Sequence, residues 1–357
     1  MPATTAVFER EMHFGKRKSE PISQEVGIKA DQGKKECTSR LADLRALLEE
    51  KFIETHYTRE QAQKIVDVLL YGELTGKDTQ GILKLLGTEP MQNVKPEYAP
   101  RVIRETKVSA LIDGGGNATI LVCRMANEIA IEKCRKSGIA IVGTQHTFAS
   151  SGAIGYYVHE ITRHSFIGIV CAGSPGSVAP FGSCDPLLGT NPMAFGFPTM
   201  DEPVIFDMAT SAITWYGLVQ AQTLGQELPE GLTMDEDGNP TTNPGEAMKG
   251  AILPFDKSYK GSGLGLAVEI LTGSLAGGGL ATNWSNTFIA IDPDILVGQE
   301  TFKKSCTELV RKIKNSRKAR GFHEVLTPGE GAARRRKLIE ETGELEVKER
   351  ILASLAF

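Results

Sequence analysis

The chain has 357 residues, 41% hydrophobic and 24% charged, with 40 Lys and Arg against 44 Asp and Glu for a formal net charge of −4. This composition supports a packed core and excludes bulk disorder. The acidic balance argues against a general nucleic-acid binder, and no apolar run reaches the ~18 residues of a membrane span.

Residues 1–40 are polar, carry both charge signs and lack the apolar stretch of a secretory signal, so they read as a flexible leader. Leu41, Leu44, Leu47, Leu48 and Phe52 then repeat at helical spacing. Thr58-Arg59-Glu60-Gln61 is a capping box opening a second helix through Ala62, Ile65, Val66 and Leu69. A polar turn over 72–81 leads to a short apolar helix at 82–86. After Pro100 the texture changes: 102–112 alternates as strands and ends in a run from Asp113 to Gly116. An amphipathic helix over 118–136 stops at Ser137-Gly138. Buried strands are predicted at 139–142, 166–171, 204–206 and 288–291, a glycine-studded helix at 261–275, and charged helices at 299–317 and 332–355. Strands alternating with helices predict an α/β fold. The expected organisation is a discontinuous helical domain from both chain ends, 41–110 plus 305–357, around an α/β nucleotide- and substrate-binding region at 111–304.

The six cysteines (Cys37, Cys123, Cys134, Cys171, Cys184, Cys306) form no CxxC, and no His/Cys cluster has zinc spacing. No metal is implied, and a reduced, cytoplasmic compartment fits. Glycine is the unusual count, 38, about 11% against an average of roughly 7%. Yet no GxGxxG follows a strand, so the Rossmann fingerprint is absent, as are GxxxxGK[ST], HExxH and GxSxG.

What remains is a series of polar-glycine strings. Gly189-Thr190-Asn191-Pro192 is a turn. Asp207-Met208-Ala209-Thr210-Ser211 follows a β run and can present N–H groups and hydroxyls to a phosphate or nicotinamide. An acidic loop spans 235–244. Lys260-Gly261 opens a helix, placing a cation beside its positive end, which suits an anion. Pro328-Gly329-Glu330 precedes a basic helix whose run from Arg334 to Lys337 reads as a solvated face. Each string alone is an ordinary turn; their order carries the information.

In that order the strings resemble the type II malate/L-lactate dehydrogenase family over about residues 40–357, a group including ureidoglycolate dehydrogenase, diketogulonate reductase and cyclic-imine reductases. The resemblance implies a non-Rossmann NAD(P)-binding α/β domain built on a mixed sheet, NADP(H) or NAD(H) as cofactor, and a small-molecule substrate. It also implies a homodimer with no nucleic-acid or membrane partner. It puts Asp207, Met208, Ala209, Thr210, Ser211, Lys260, Gly261, Pro328, Gly329 and Glu330 at the cofactor, and Thr190 and Asn191 at the substrate.

The family's catalytic string, G-x-D-S-H-G-x-x-R, is altered here to Gly76-Lys77-Asp78-Thr79-Gln80-Gly81-Ile82-Leu83-Lys84. In the family the His donates a proton, the Ser supports it and the Arg holds the substrate carboxylate. Thr79, Gln80 and Lys84 stand at those positions. Gln80 donates a hydrogen bond but has no transferable proton at neutral pH; Lys84 keeps the cation without the bidentate fork. A second family His, in H-F-G-x-A-G-Y-Y, falls on Ser150 when aligned back from Tyr156 without gaps, whereas a small insertion brings His146 there. The catalytic candidates are therefore Gln80, Thr79, His146 and Ser150. His159 and His164 read as structural. Ketone reduction needs a delivered proton, typically worth about 10²–10⁴-fold, while a protonated imine becomes a neutral amine without one. The expected activity is NAD(P)H-dependent hydride transfer to a small carboxylate-bearing C=N or C=O, a cyclic imine or a 2-oxo acid. The alternative is a nucleotide-binding homologue whose redox chemistry is lost or altered, lyase- or isomerase-like.

Overall fold

The computed structural model describes residues 36–86, 91–348 and Ile351. Of the leader, 1–35 lie outside the described residues, while β1 (Glu36–Arg40) is a strand running directly into α1 (Leu41–Thr55). The capping box forms as predicted at the start of α2 (Arg59–Leu74): Gln61 N–H donates to Thr58 Oγ1 and Thr58 N–H to Gln61 Oε1. The apolar stripes of both helices are buried, Leu44, Leu48 and Phe52 against Ala62, Ile65, Val66 and Leu69.

The chain then enters its main sheet through β2 (Arg101–Glu105) and β3 (Ser109–Ala118), crosses over through α3 (Thr119–Ser137) to β4 (Ile139–Phe148), and continues through α4 (Gly155–Thr162), β5 (Ile167–Gly173), β6 (Met193–Phe197) and β7 (Val204–Met208). After α5 (Trp215–Leu224), a small three-stranded sheet forms from β8 (Thr233–Met234), β9 (Pro240–Thr241) and, beyond α6 (Pro244–Lys249), β10 (Ala251–Ile252). α7 (Tyr259–Glu269), with a π-helical extension over Ile270–Ser274, leads to β11 (Trp284–Ile291) in the sheet centre. α8 (Gln299–Lys314), α9 (Glu330–Thr342) and β12 (Glu344–Lys348) complete the described chain.

The seven-stranded sheet has the order β2-β3-β4-β11-β5-β6-β7 and is mixed: β3 and β4 are parallel, joined by the helical crossover such a pair requires, and the other neighbours are antiparallel. Strand alternation sorts its faces. Ala140, Val142, Val170, Ala194, Phe288 and Ala290 are buried beneath α3 and α4. On the opposite face Ile141, Ile289, Ile169, Phe195 and Phe206 lie in one cross-strand row. The π-helical segment covers only one end of that face, where Thr287 Oγ1 donates to the Leu271 carbonyl.

Three sequence expectations change. Residues 101–110, assigned to the helical domain, are sheet: β2 is an exposed edge strand, and β3 continues past Asp113 through Gly115 and Gly116, both at positive φ, to Ala118. The part of α8 from residue 305 onward, also assigned there, lies beside the turn after β6, with Met200 N–H donating to Thr307 Oγ1 and Arg311 pairing with Asp201. The last helix stops at Thr342 because Gly343 takes a left-handed conformation (φ 71°). The chain then pairs as β12 with β1, bringing the two ends of the described chain side by side. No helix among the described residues is long and apolar enough to cross a membrane.

Candidate active site

A cleft of ≈830 Å³ opens where the turn after α2 meets the C-terminal ends of β5 and β7 and the start of α5. That volume falls within the roughly 300–1,000 Å³ of small-molecule and cofactor sites. Its walls come from 76–80 and Lys84, 150–154, 172–177, Thr190, Pro192, 207–209, 212–217, 226–229 and Trp284.

The wall carrying the altered string is held rigidly. α2 ends at Thr75, Gly76 takes a positive φ of 73°, and two 3₁₀ turns, Asp78–Gln80 and Ile82–Leu85, present Thr79, Gln80 and Lys84. Behind them the buried Glu73 carboxylate accepts the Ile82 N–H at 2.7 Å. Burial raises the Glu73 pKa to about 7, against the lowering effect of that hydrogen bond. A Cβ at Gly81 would lie 2.0 Å from Glu73 Oε1, so any larger residue there would have to displace the Glu73 carboxylate. Asp78 Oδ2 accepts from Lys348 Nζ (2.7 Å) and Gln220 Nε2 (3.0 Å), tying the turn to β12 and α5. Burial pushes the Asp78 carboxyl up, but these donors outweigh it and hold it below its ordinary value.

Two lysines from this segment reach the cleft in different states. Lys84 is 2% exposed, its Nζ 3.4 Å from the centroid of the Tyr216 ring. No carboxylate among the described residues pairs with it, and burial pushes its ammonium well below the ordinary lysine range. Lys77 is one-third exposed; its Nζ lies 2.9 Å from Asp207 Oδ2 and donates to the Asp207 carbonyl at 2.8 Å. Asp207 Oδ2 also accepts the Gly155 N–H at 2.9 Å.

The fold brings Thr79, Gln80, Lys84, Ser150, Thr190, Asp207, Met208 and Ala209 to one cleft. The other candidates lie elsewhere. His146, at φ 53°, places Nδ1 3.1 Å from Asp113 Oδ1 and Nε2 3.4 Å from Glu97 Oε1, outside the cleft wall. No histidine lines the cleft among the described residues, and His146 stands outside its wall. Asn191 is fully buried, donating to the Gly265 carbonyl and Glu269 Oε2, and ties its turn to α7. Thr210 Oγ1 donates back to the Thr190 carbonyl and Ser211 Oγ to that of Ile213; both side chains are turned into local backbone bonds. Lys260 and Gly261 do start a helix, but the anion there is the chain's own Asp256, whose Oδ1 accepts the Gly261 N–H. Pro328-Gly329-Glu330 lies behind β7: a Cβ at Gly329 would meet the Ile205 carbonyl at 2.5 Å, and Glu330 pairs with Lys314 and Arg334. Burial raises the Glu330 carboxyl, yet those pairs and the Thr327 N–H bring it down to about 2.

Sequence reasoning missed Lys77, Tyr216, Trp284 and Ser177. The Ser177 hydroxyl is buried at the cleft wall with no hydrogen-bond partner among the described residues. An unsatisfied buried hydroxyl is costly in the empty protein. Together with the glycine-rich backbone of 173–177 and the small residues of 207–209, it gives a donor and acceptor set that fits a dinucleotide.

Comparison with known proteins places the chain in a family. A family model described as malate/L-lactate dehydrogenase matches residues 40–356. L-sulfolactate dehydrogenase of Methanocaldococcus jannaschii is 34% identical over 286 residues, covering 76% of this chain and 82% of that one. The Δ1-pyrroline-2-carboxylate/Δ1-piperideine-2-carboxylate reductase of Pseudomonas putida is 30% identical over 321 residues, covering 84% and 91%. Among solved structures, a dehydrogenase from Sinorhizobium meliloti superposes with a TM-score of 0.82 at 28% identity, over 90% of this chain and 98% of that one.

Proposed function

The chain belongs to the malate/L-lactate dehydrogenase family, and from that premise we propose that it is a nicotinamide-dependent oxidoreductase whose substrate is a small carboxylate bearing a C=N or C=O bond. The observation that carries the substrate class is Lys84. A buried ammonium without a carboxylate partner, opening on a cleft, is completed by an anion brought in from solution. The imine side of the reading is supported by Gln80, which stands where a proton-donating His would be, and by the pyrroline/piperideine-carboxylate reductase among the relatives.

When bound, NAD(H) or NADP(H) supplies the hydride. Ser177, the 173–177 backbone and Asp207, Met208 and Ala209 would hold it along the β5 and β7 side of the cleft. Across from them Lys84 anchors the substrate carboxylate, while the Gln80 amide and Thr79 hydroxyl orient the reacting bond. The Tyr216 ring and the apolar cleft wall keep water from the anchored carboxylate, so the charge pair forms in a low dielectric. The protein is further proposed to be cytoplasmic, supported by the free thiols of Cys123, Cys134, Cys171, Cys184 and Cys306, and to work as a homodimer, supported by the uncovered apolar row on the main sheet.

The test is consumption of NADH and of NADPH, read by absorbance, over a panel of 2-oxo acids, cyclic imino acids and their decarboxylated analogues. Turnover that requires the carboxylate supports the reading. Equal turnover of the decarboxylated analogues removes Lys84 as the anchor. Rapid reduction of plain 2-oxo acids with cyclic imino acids ignored removes the imine.

A further inference from the structure

We propose that Lys77 is the proton donor of this site, the role that Gln80 cannot fill. The inference rests on the reductase reading above and adds to it a residue that the sequence pattern had marked only as the variable position of the string.

Reduction of a carbonyl, or of an imine that enters the cleft neutral, needs one proton besides the hydride, and the cleft offers few sources. No histidine lines it among the described residues, Gln80, Thr79 and Ser150 carry no acid proton near neutral pH, and the Tyr216 phenol belongs to a buried ring whose face is taken by Lys84. Lys84 is buried and committed to the carboxylate. Lys77 is the remaining cation on the cleft wall, and its setting is that of a positioned acid. Asp207 takes two of its three N–H bonds, through Oδ2 at 2.9 Å and the main-chain carbonyl at 2.8 Å. Asp207 is itself fixed by the Gly155 N–H and belongs to the segment assigned to the cofactor. The third N–H is left for the substrate. One-third exposure gives the amine a route to recover its proton from water.

The step balances simply. As a C–H bond forms at the substrate carbon, the π pair of the C=O or C=N moves onto the heteroatom. That atom takes the proton as the Lys77 N–H bond breaks and its pair stays on Nζ. The products are an alcohol or amine and a neutral lysine, which regains its proton from solvent. With a neutral imine the same transfer precedes hydride arrival and makes the better acceptor.

The discriminating variants are Lys77→Arg and Lys77→Ala. Arginine keeps the cation and the pair with Asp207 but is far too weak an acid to release its proton. Lys77→Arg is expected to keep the parent melting temperature and nucleotide dissociation constant, with kcat falling about 10²–10⁴-fold and KM little changed. Lys77→Ala is expected to recover turnover with added methylamine. Independently of turnover, acetylation of Lys77 by acetic anhydride, followed by mass spectrometry of the nucleotide-free protein, is expected to slow in saturating oxamate. Full turnover in Lys77→Arg, or no amine rescue in a folded Lys77→Ala, would reduce Lys77 to a tether between the turn and β7 and overturn the proposal. If no substrate is reduced by the parent protein, the reductase reading fails by itself. In that event absence of oxamate protection at Lys77 overturns this proposal separately.

Discussion

Burying Lys84 under the Tyr216 ring without a carboxylate costs folding free energy, because its hydration is lost and no paired charge replaces it. Function and stability therefore pull this residue in opposite directions. Lys84→Met keeps the aliphatic stem and removes the charge. It is expected to stabilise the unliganded protein, because no buried amine is left to desolvate, while lowering kcat/KM for a carboxylate substrate roughly 10- to 100-fold, the value of a charge-assisted hydrogen bond. Thermal unfolding without ligand and steady-state kinetics check the two halves; a destabilised Lys84→Met protein would contradict the account of Lys84 as an unpaired cation. At this scale the sequence was informative where site residues sit in one contiguous string, as Thr79, Gln80 and Lys84 do. Lys77 escaped notice because its partner, Asp207, lies 130 positions away and only the fold joins them.

The turn between α2 and the second 3₁₀ segment depends on an interaction that titrates. Glu73 has its pKa raised to about 7 by burial, and Asp78, Lys348 and Arg335 are the charged groups that also act on it. An acid whose folded pKa lies above its unfolded value binds its proton more tightly when folded. Its stabilising contribution is complete below the unfolded value, near 4.5, and is lost as pH rises to about 7. Glu73→Gln still offers an oxygen to the Ile82 N–H but cannot ionise. Its melting temperature is therefore expected to gain on the parent's as pH is raised through this window, with parallel curves counting against a buried ionising Glu73. Elements of this kind were legible where a local rule decides them: the capping box at Thr58 and the stripe of α2 needed no tertiary information. The end of the last helix was hidden for the opposite reason. The segment from Glu344 to Lys348 reads as charged helix and becomes strand because β1 supplies its hydrogen-bond partners. Residues 101–105 are the contrasting case: their alternation already reads as strand, and pairing with β3 makes them the sheet's edge.

At the scale of the whole molecule, the main sheet buries one face and leaves much of the other without cover from the described residues. The row Ile141, Ile289, Ile169, Phe195 and Phe206 crosses five strands in register, with Ile141 and Phe206 each 38% exposed and Phe195 stacked between Phe197 and Phe206. Apolar side chains aligned across five strands make a contiguous patch, unlike the scattered exposed leucines of an ordinary surface. The hydrophobic effect favours covering it at about 25 cal/mol per Å², and a second copy of the chain offers a matching sheet face under twofold symmetry. Light scattering coupled to size exclusion is expected to give twice the chain mass at micromolar concentration. Phe206→Glu and Ile141→Glu, both at partly exposed positions that a folded monomer tolerates, are expected to halve it while leaving the circular dichroism spectrum unchanged. A parent protein that runs as a monomer would mean that the apolar row faces water or some other cover, and would remove the homodimer from the functional proposal.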